Sequence, residues 1–232
     1  MKDKIYPSFA EAVADIPDGA TMMIHSFIGP TGIAQNLIVA LRDRGVRNLT
    51  VIACNFGSAG GTRIKPGIKP HVLPGLLVEN GQVKKALTSW ASSVGPDVCL
   101  LEQAMKEGKV EVEIVPQGVL AERIRNGGSG LGGFYSPVGV GTLIAEGKES
   151  RIINGREYIL ESPLTADYAF VRARVADRMG NLIYRLSQRS FNPVIATAAK
   201  VVIAEVEEIV EPGELSPDQI VTPGVFVDRL AV

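Results

Sequence analysis

The stretch PQGVLAERIRNGGSGLGGFYSPVGVGTLIAEG, residues 116–147, is the most informative part of the sequence. It begins with a Pro-Gln-Gly corner that follows a strand-like run at 110–115. The residues after this corner have helical spacing, with three apolar side chains on one face: Val119, Leu120 and Ile124. The other face carries charged side chains: Glu122, Arg123 and Arg125. We therefore predict a short amphipathic helix that starts at the corner.

The chain then becomes rich in glycine. Seven glycines lie within fifteen residues: Gly127, Gly128, Gly130, Gly132, Gly133, Gly139 and Gly141. Glycine allows positive φ angles and lets the backbone come close to a ligand or to another backbone. Phe134 and Tyr135 lie inside the run, whereas a flexible Gly/Ser linker would lack such apolar anchors. We therefore predict a fixed, shaped loop beside a site.

Upstream of this stretch, apolar runs alternate with helical patterns. Short apolar runs at 20–24 and 49–53 predict buried strands, and a helix is predicted between them at 33–44. A loop at 25–32 separates the first strand from the helix. Strand, loop, helix and strand in this order describe a parallel βαβ unit. Further elements are predicted in the same half: strands at 76–78, 86–90 and 110–115, and a helix at 97–107.

Turn signals in the second half predict antiparallel hairpins. Asn154-Gly155 and Met179-Gly180-Asn181 each lie between two strand-like runs. The strands predicted here are 152–153, 158–160, 168–175, 182–185, 200–206 and a tail at 225–232. The tail is expected to pair at a sheet edge or with a partner. The whole pattern predicts one α/β domain spanning 1–232, with a mostly parallel sheet flanked by helices and added antiparallel hairpins.

Composition excludes several classes of protein. Hydrophobic residues make up 46% of the 232 residues and charged residues 21%, which is typical of a globular chain. A net charge of −1 argues against a nucleic-acid-binding protein. No apolar run is long enough for a membrane span, and the first residues do not resemble a signal peptide. We expect a cytoplasmic protein with no nucleic-acid or membrane partner.

Several separate blocks of the sequence resemble one enzyme family. Gln-Gly-x-Leu-Ala-Glu-Arg-Ile-Arg at 117–125 and Phe-Tyr-Ser-Pro-x-Gly-x-Gly-Thr-Leu at 134–143 are similar to the A (α) subunit of the family I 3-oxoacid CoA-transferases. That family includes succinyl-CoA:3-oxoacid, acetoacetate and 3-oxoadipate CoA-transferases. The similarity continues through further blocks in the same order: 155–161, 176–181, 205–210 and 220–227. It covers nearly the whole chain.

The resemblance implies a fold, a partner and a reaction. The fold would be that of the CoA-transferases, which is NagB/RpiA-like. The partner would be a B (β) subunit, in a heterodimer or an α2β2 heterotetramer. CoA would move from an acyl-CoA donor to a 3-oxo acid by a ping-pong route through a glutamyl-CoA thioester on the B subunit. Coenzyme A is then a substrate, and no cofactor or metal is expected.

Candidate substrate-binding residues follow the first predicted strand. Open α/β sheets bind ligands at the carboxyl ends of strands and at helix N-termini. The loop after this strand contains Ser26, Phe27, Gly29 and Gly32. His25-Ser26 replaces two glycines that the related enzymes have here, so the acyl substrate is open. The alternative is a plain strand-to-helix turn without a ligand.

The resemblance implies further site residues at the ends of other strands and in the glycine-rich loop. Gln117 matches a glutamine whose amide points at the reacting carbonyl, and an uncharged donor stabilises an oxyanion without using a proton. The alternative for Gln117 is capping of the helix that follows. Asn55 matches one of two adjacent asparagines. Gly133 and Phe134 are expected to complete the acyl pocket.

Other candidate residues are assigned to structure. Glu79-Asn80-Gly81 shares three letters with the Ser-Glu-Asn-Gly block that carries the catalytic glutamate of the B subunits, but we interpret it as a strand-to-helix turn. Cys54 is predicted to be a thiol at the edge of the core. His25 and His71 lack acidic partners at a recognisable spacing, so neither a catalytic triad nor a metal site is predicted.

Three functions remain open from the sequence. The first is the α subunit of a CoA-transferase. The second is a component of a CoA-ester hydrolase on the same scaffold, which the altered 25–34 loop motivates. The third is a non-catalytic metabolite-binding protein. The segment 54–74, rich in glycine, proline and basic residues, is expected to be a lid, a docking loop or an excursion towards a partner.

Overall fold

The computed structural model describes residues 4–27, 32–57, 71–92 and 98–232. Most of the 54–74 segment, as well as Gly29, lies outside these ranges. The helices are α1 (Phe9–Ala12), α2 (Gln35–Arg44), α3 (Gly75–Glu79), α4 (Leu100–Lys106), α5 (Gln117–Gly128) and α6 (Asn192–Ala196). The strands of the first half are β1 (Thr21–Ile24), β2 (Leu49–Ile52), β3 (Val83–Thr88), β4 (Glu111–Ile114) and β5 (Phe134–Ser136). Those of the second half are β6 (Ser150–Ile153), β7 (Arg156–Glu161), β8 (Ala166–Asp177), β9 (Leu182–Ile183), β10 (Ala199–Val210) and β11 (Arg229–Ala231).

The main sheet has the strand order β11-β10-β8-β1-β2-β3-β4, and every neighbouring pair along this path is parallel. Among the described strands of this sheet, β9 alone is antiparallel, where it pairs with the end of β8. The predicted α/β class with a mostly parallel sheet is therefore confirmed. Of the predicted 225–232 tail, only β11 is a strand, and it pairs with β10 at an edge of the sheet, whereas 224–226 form a 3-10 helix.

A second, antiparallel sheet has the order β5-β7-β6. Its β6–β7 hairpin turns at Asn154 and Gly155, whose φ angles are 50° and 77°. Two consecutive positive φ angles are what a tight hairpin turn requires, and Asn-Gly provides them with little strain. The predicted hairpin is confirmed.

Two predictions in the first half are wrong. Residues 76–78 belong to helix α3 and not to a strand, because Leu77 and Val78 are buried as α3 packs against α2 and α4. A short apolar run does not by itself distinguish a strand from a buried helical turn. Glu79-Asn80-Gly81 is consequently a helix-to-strand turn, in which Gly81 has a φ angle of 65°.

Helix α5 is longer and more buried than predicted. Gly127 and Gly128 form its last turn and not a loop. A Cβ atom on Gly127 would collide with the Leu164 carbonyl, so this glycine is needed for close packing. Arg123, expected on the charged outer face, is buried, where it binds the Ser162 carbonyl and the Glu113 carboxylate at 2.8 Å each. Pairing of its charge makes this burial possible.

The N-terminus of α2 is capped by a side chain from β10. Its N-cap residue, Ala34, has no side-chain acceptor. Glu205 is buried, and its Oε2 atom accepts hydrogen bonds from the amides of Asn36 at 2.8 Å and Leu37 at 3.2 Å. A guanidinium nitrogen of Arg172 lies 3.5 Å from Oε1 of Glu205. Burial raises the pKa of Glu205, and the interactions with Leu37, Arg172 and Asn36 oppose that rise.

His25 follows β1 inside the molecule. The side chain is 1% exposed, and neither ring nitrogen has a hydrogen-bond partner within the described ranges. A Cβ atom on Gly32 would lie 2.6 Å from Nε2 of His25, so the ring occupies the space that a side chain at position 32 would need. Burial lowers the pKa of His25 to about 4, with slight opposition from the Phe27 backbone. The folded protein therefore keeps this imidazole neutral at neutral pH.

We predict that Glu205→Ala lowers the free energy of unfolding by about 3 kcal/mol, because it leaves two helix amides without an acceptor and removes one of the two carboxylates that pair with Arg172, the other being Glu207. Glu205→Gln, which keeps an acceptor oxygen, should cost less. Urea unfolding measures both. Glu111→Ala is the control: Glu111 forms an exposed pair with Lys85, and such pairs contribute about 0.5 kcal/mol. Equal losses for Glu205→Ala and Glu111→Ala would contradict the capping role.

We also predict that His25 makes folding sensitive to acid. The unfolded chain takes up a proton as the pH falls below 6.5, whereas the folded chain does so only near 4. Stability from this residue is therefore complete above pH 6.5 and decreases towards pH 4, by roughly 3 kcal/mol. His25→Gln should lack this component. Urea unfolding of both proteins at pH 7 and pH 4.5 measures the difference, and parallel losses would contradict the prediction.

Candidate functional site

The predicted site residues that follow β1, β2 and β4 lie at the same end of the main sheet, where these strands have their carboxyl ends. These strands are parallel, so their carboxyl ends face the same way. Ser26 and Phe27 follow β1, Asn55 follows β2, and Gln117 follows β4 as the first residue of α5. Loops at this edge are where open α/β sheets place ligands. The sheet also reverses its strand order here, because β1 lies between β2 and β8.

Ser26 and Asn55 are in direct contact. The Asn55 backbone nitrogen donates to Oγ of Ser26 at 3.1 Å, and its side-chain amide donates to the Ser26 carbonyl. Asn55 also forms a parallel bridge with Trp90, which follows β3. The ends of three neighbouring strands are thus held together by polar contacts at the backbone level. Ser26 is buried, and Asn55 is half-buried.

Gln117 is half-buried at the start of α5 and does not cap that helix. The N-cap position is Pro116, and no side chain forms a capping bond there. Within the described ranges, no hydrogen bond involves the Gln117 side chain. Its amide is therefore available to a ligand. Strand spacing separates the ends of β1 and β4 by roughly 14 Å, so Gln117 does not contact Ser26 directly.

Phe134 belongs to the small antiparallel sheet, and Gly133 directly precedes it. Phe134 starts β5 and pairs with Glu161 of β7. Gly133 has a φ angle of 132°, and a Cβ atom there would lie 2.6 Å from the Glu161 carbonyl oxygen, so only glycine fits. Phe134 and Phe27 both pack against the apolar cluster that contains Val115 and Val119. Hydrophobic packing thus links the glycine-rich loop to the edge residues.

Gly32 is fixed by a residue that no sequence motif indicates. The side-chain amide of Asn192 donates to the carbonyls of Gly32 at 2.9 Å and Gln188 at 2.7 Å, and its oxygen accepts from the Arg172 amide. Asn192 is fully buried and lies 160 positions away in the sequence. His25, which also packs against Gly32, had one signal in the sequence, the replacement of two expected glycines. Gly29 lies outside the described residues.

The residues assigned to structure have positions that fit those roles. Burial raises the pKa of Cys54 to about 12, so its thiol stays protonated and is a poor nucleophile. Glu79 ends α3, just before β3 begins. It therefore lies near the amino end of β3, at the opposite end of the sheet from Gln117. Among the described residues, no group of three His, Cys, Asp or Glu side chains could hold a metal ion. No helix in those ranges is long and apolar enough to cross a membrane.

Comparison with known proteins identifies the family. The sequence profile described as Coenzyme A transferase matches residues 6–232. The chain is 45% identical over 230 residues to the A component of 3-oxoadipate CoA-transferase from Pseudomonas putida, an alignment that covers 99% of this chain and 94% of that protein. It is 42% identical over 232 residues to the alpha component of acetate CoA-transferase from Escherichia coli K12, covering 100% and 98%.

A solved structure agrees with these matches. An acyl-CoA transferase of E. coli O157:H7, determined as a thioester complex with CoA, superposes with a TM-score of 0.81 at 25% identity. The alignment covers all of this chain and 47% of that one, so the chain spans about half its length. With a matching profile over almost every residue and relatives that match along nearly their full length, the chain belongs to the coenzyme A transferase family, as its α subunit.

Proposed function

We propose that this chain is the α component of a two-subunit enzyme that moves CoA from an acyl-CoA donor to a 3-oxo acid such as 3-oxoadipate or acetoacetate. The observation that carries the proposal is the free amide of Gln117, which follows β4 at the same end of the sheet as the Ser26–Asn55 contact. The Pseudomonas relative, named for 3-oxoadipate, supports a 3-oxo acid. The partner is a B subunit, in a heterodimer or an α2β2 heterotetramer.

The reaction follows a ping-pong route. A glutamate carboxylate of the partner attacks the acyl carbon of the donor, and the CoA thiolate leaves to give a mixed anhydride. The thiolate then attacks the glutamyl carbonyl, which releases the donor acid and leaves a glutamyl-CoA thioester. The acceptor acid reverses these two steps and takes CoA away. Covalent catalysis of this kind divides one difficult exchange into easier steps.

The part of this chain is to bind the acyl group and stabilise charge. Negative charge grows on the carbonyl oxygen as the partner carboxylate attacks. The Gln117 amide donates a hydrogen bond to that oxygen, which strengthens in the transition state. Ser26, Phe27 and Gly32 line the acyl group from the β1 end. Asn55 adds to that side, and Gly133 and Phe134 close the pocket from the small sheet.

Hydrolysis of a CoA ester is the second candidate, and the described residues at 25–27 and 32–34 give it little support. Hydrolysis needs a base that activates water. His25 is the titratable residue that distinguishes this loop, but it is buried and its pKa is about 4, too low for a base that works near neutral pH. The transferase is therefore the better-supported function.

We predict that the purified chain alone transfers no CoA, because the attacking carboxylate belongs to the partner. Co-expression with a B-type chain that contains Ser-Glu-Asn-Gly should restore transfer from succinyl-CoA to 3-oxo acids. A screen of CoA donors and acceptors measures this, and size determination of the purified complex gives its stoichiometry. Transfer by the chain alone at a rate close to that of the complex would disprove the two-subunit function.

We predict that Gln117→Ala in the complex lowers kcat by on the order of a hundredfold and changes binding of acyl-CoA little. The melting temperature should stay nearly constant, since Gln117 does not cap α5. Steady-state kinetics and thermal melts measure both effects. The matched control is Gln103→Ala, an exposed glutamine of α4.

Glu79→Ala is a second control. It should leave turnover and the covalent CoA adduct unchanged, because Glu79 lies at the opposite end of the sheet from Gln117. Mass spectrometry after mixing with acyl-CoA locates the adduct. Normal turnover in Gln117→Ala would reject the oxyanion role, and an adduct on Glu79 would reject the assignment of the nucleophile to the partner.

A further inference from the structure

A cavity of about 620 Å³ lies between α5, α6 and the segment 221–226. Its volume is within the range of small-molecule sites. None of the described site residues lines it, and the proposed reaction does not use it. It is therefore a feature of the molecule that needs its own explanation.

The cavity is positively charged. Arg125 and Arg189 line it, and no Asp or Glu of the described residues does. Within the residues that the structure describes, Arg189 forms no ion pair. Arg125 pairs with Glu122 at 3.3 Å on the same helix, but the two side chains are 60% and 48% exposed. Such a pair is weak, so both guanidinium groups can bind an anion.

The remaining lining combines hydroxyl groups with apolar surface. Ser129 and Ser190 are exposed beside the arginines. Phe191, Val194 and Phe226 provide apolar walls. Guanidinium groups bind phosphate through paired hydrogen bonds, and aromatic rings pack against flat apolar groups. A ligand that satisfies both needs a phosphate group and an apolar body.

We propose that this cavity binds a phosphate-bearing organic anion about the size of a nucleotide. Two sources of such a ligand exist. One is the nucleotide end of the acyl-CoA substrate, and the other is a separate phosphorylated metabolite. The chemistry of recognition is the same in both.

The cavity is connected to the candidate active site in two ways. Gln117, Ala121 and Arg125 are four residues apart on α5 and share one face, and Arg125 lies about 12 Å along the helix from Gln117. Phe191 lines the cavity and packs edge to face against Phe27, with 5.8 Å between ring centroids. A ligand in the cavity would therefore contact Phe191, which packs against the candidate site residue Phe27.

Calorimetric titration with adenosine 3′,5′-bisphosphate tests the proposal, with inorganic pyrophosphate as a probe of the anion subsite. Saturable binding is expected for the full chain and for its complex with the partner. The double variant Arg125→Glu, Arg189→Glu should raise the Kd at least tenfold. The control is Arg151→Glu, Arg178→Glu, which changes net charge equally at exposed arginines, whose side chains are 63% and 47% accessible.

A second variant tests the cavity without changing its charge. Ala121→Phe places a ring in the space that Ala121 leaves on α5, and it should also weaken binding of the bisphosphate at least tenfold. Circular dichroism checks that each variant is folded. Arg125→Gln, Arg189→Gln replaces the charge reversal where that variant does not fold.

Kinetics of the complex distinguish the two sources. A raised KM for acyl-CoA with unchanged kcat in the charge-reversal variant indicates the nucleotide end of CoA. Unchanged KM, with bisphosphate binding to CoA-saturated enzyme, indicates a separate ligand. No saturable binding, binding that both variants retain, or binding to the free chain but not to the complex would overturn the proposal. The titration needs no turnover, so its failure is distinct from failure of the proposed function.

Discussion

The buried carboxylate of Glu205 is the constraint on which the arrangement at the carboxyl end of the sheet depends, because it holds the N-terminus of α2. In open α/β folds, the helix N-terminus beside the point where strand order reverses is free to bind an anionic ligand. Here that N-terminus belongs to α2, and Glu205 of β10 occupies it. Arg172 of β8 lies beside the carboxylate. The position is thus filled by a side chain of the protein itself.

The Glu205–Arg172 pair is connected to Gly32, which follows the loop after β1. Asn192 joins the Gly32 carbonyl to the backbone of Arg172, and His25 fills the space next to Gly32. His25 and Gly32 therefore pack against each other, and Asn192 binds the Gly32 carbonyl. Burial of a neutral imidazole in this position is costly in acid, which is why a low pH is expected to weaken the fold.

The candidate site is assembled from elements that are distant along the chain. Ser26 and Asn55 meet through hydrogen bonds, whereas Gln117 shares with them only the carboxyl end of the sheet. Phe134 is related to this region through the apolar cluster against which Phe27 also packs. These groups do not enclose a ligand by themselves within the described residues. The names of the relatives, which imply a second chain, agree with that geometry.

The sequence by itself determined the α/β class, the βαβ unit, the Asn154-Gly155 hairpin and the family, because these depend on local periodicity, turn chemistry and ordered blocks of residues. It did not determine that 76–78 is helical, that Arg123 is buried or that Gly127 and Gly128 are helical, since each depends on what packs against the segment. Only the tertiary structure decided that Glu205 caps α2, that Asn192 holds Gly32 and that Gln117 is free of a capping role. Those contacts join residues up to 169 positions apart, and no local pattern records such a meeting.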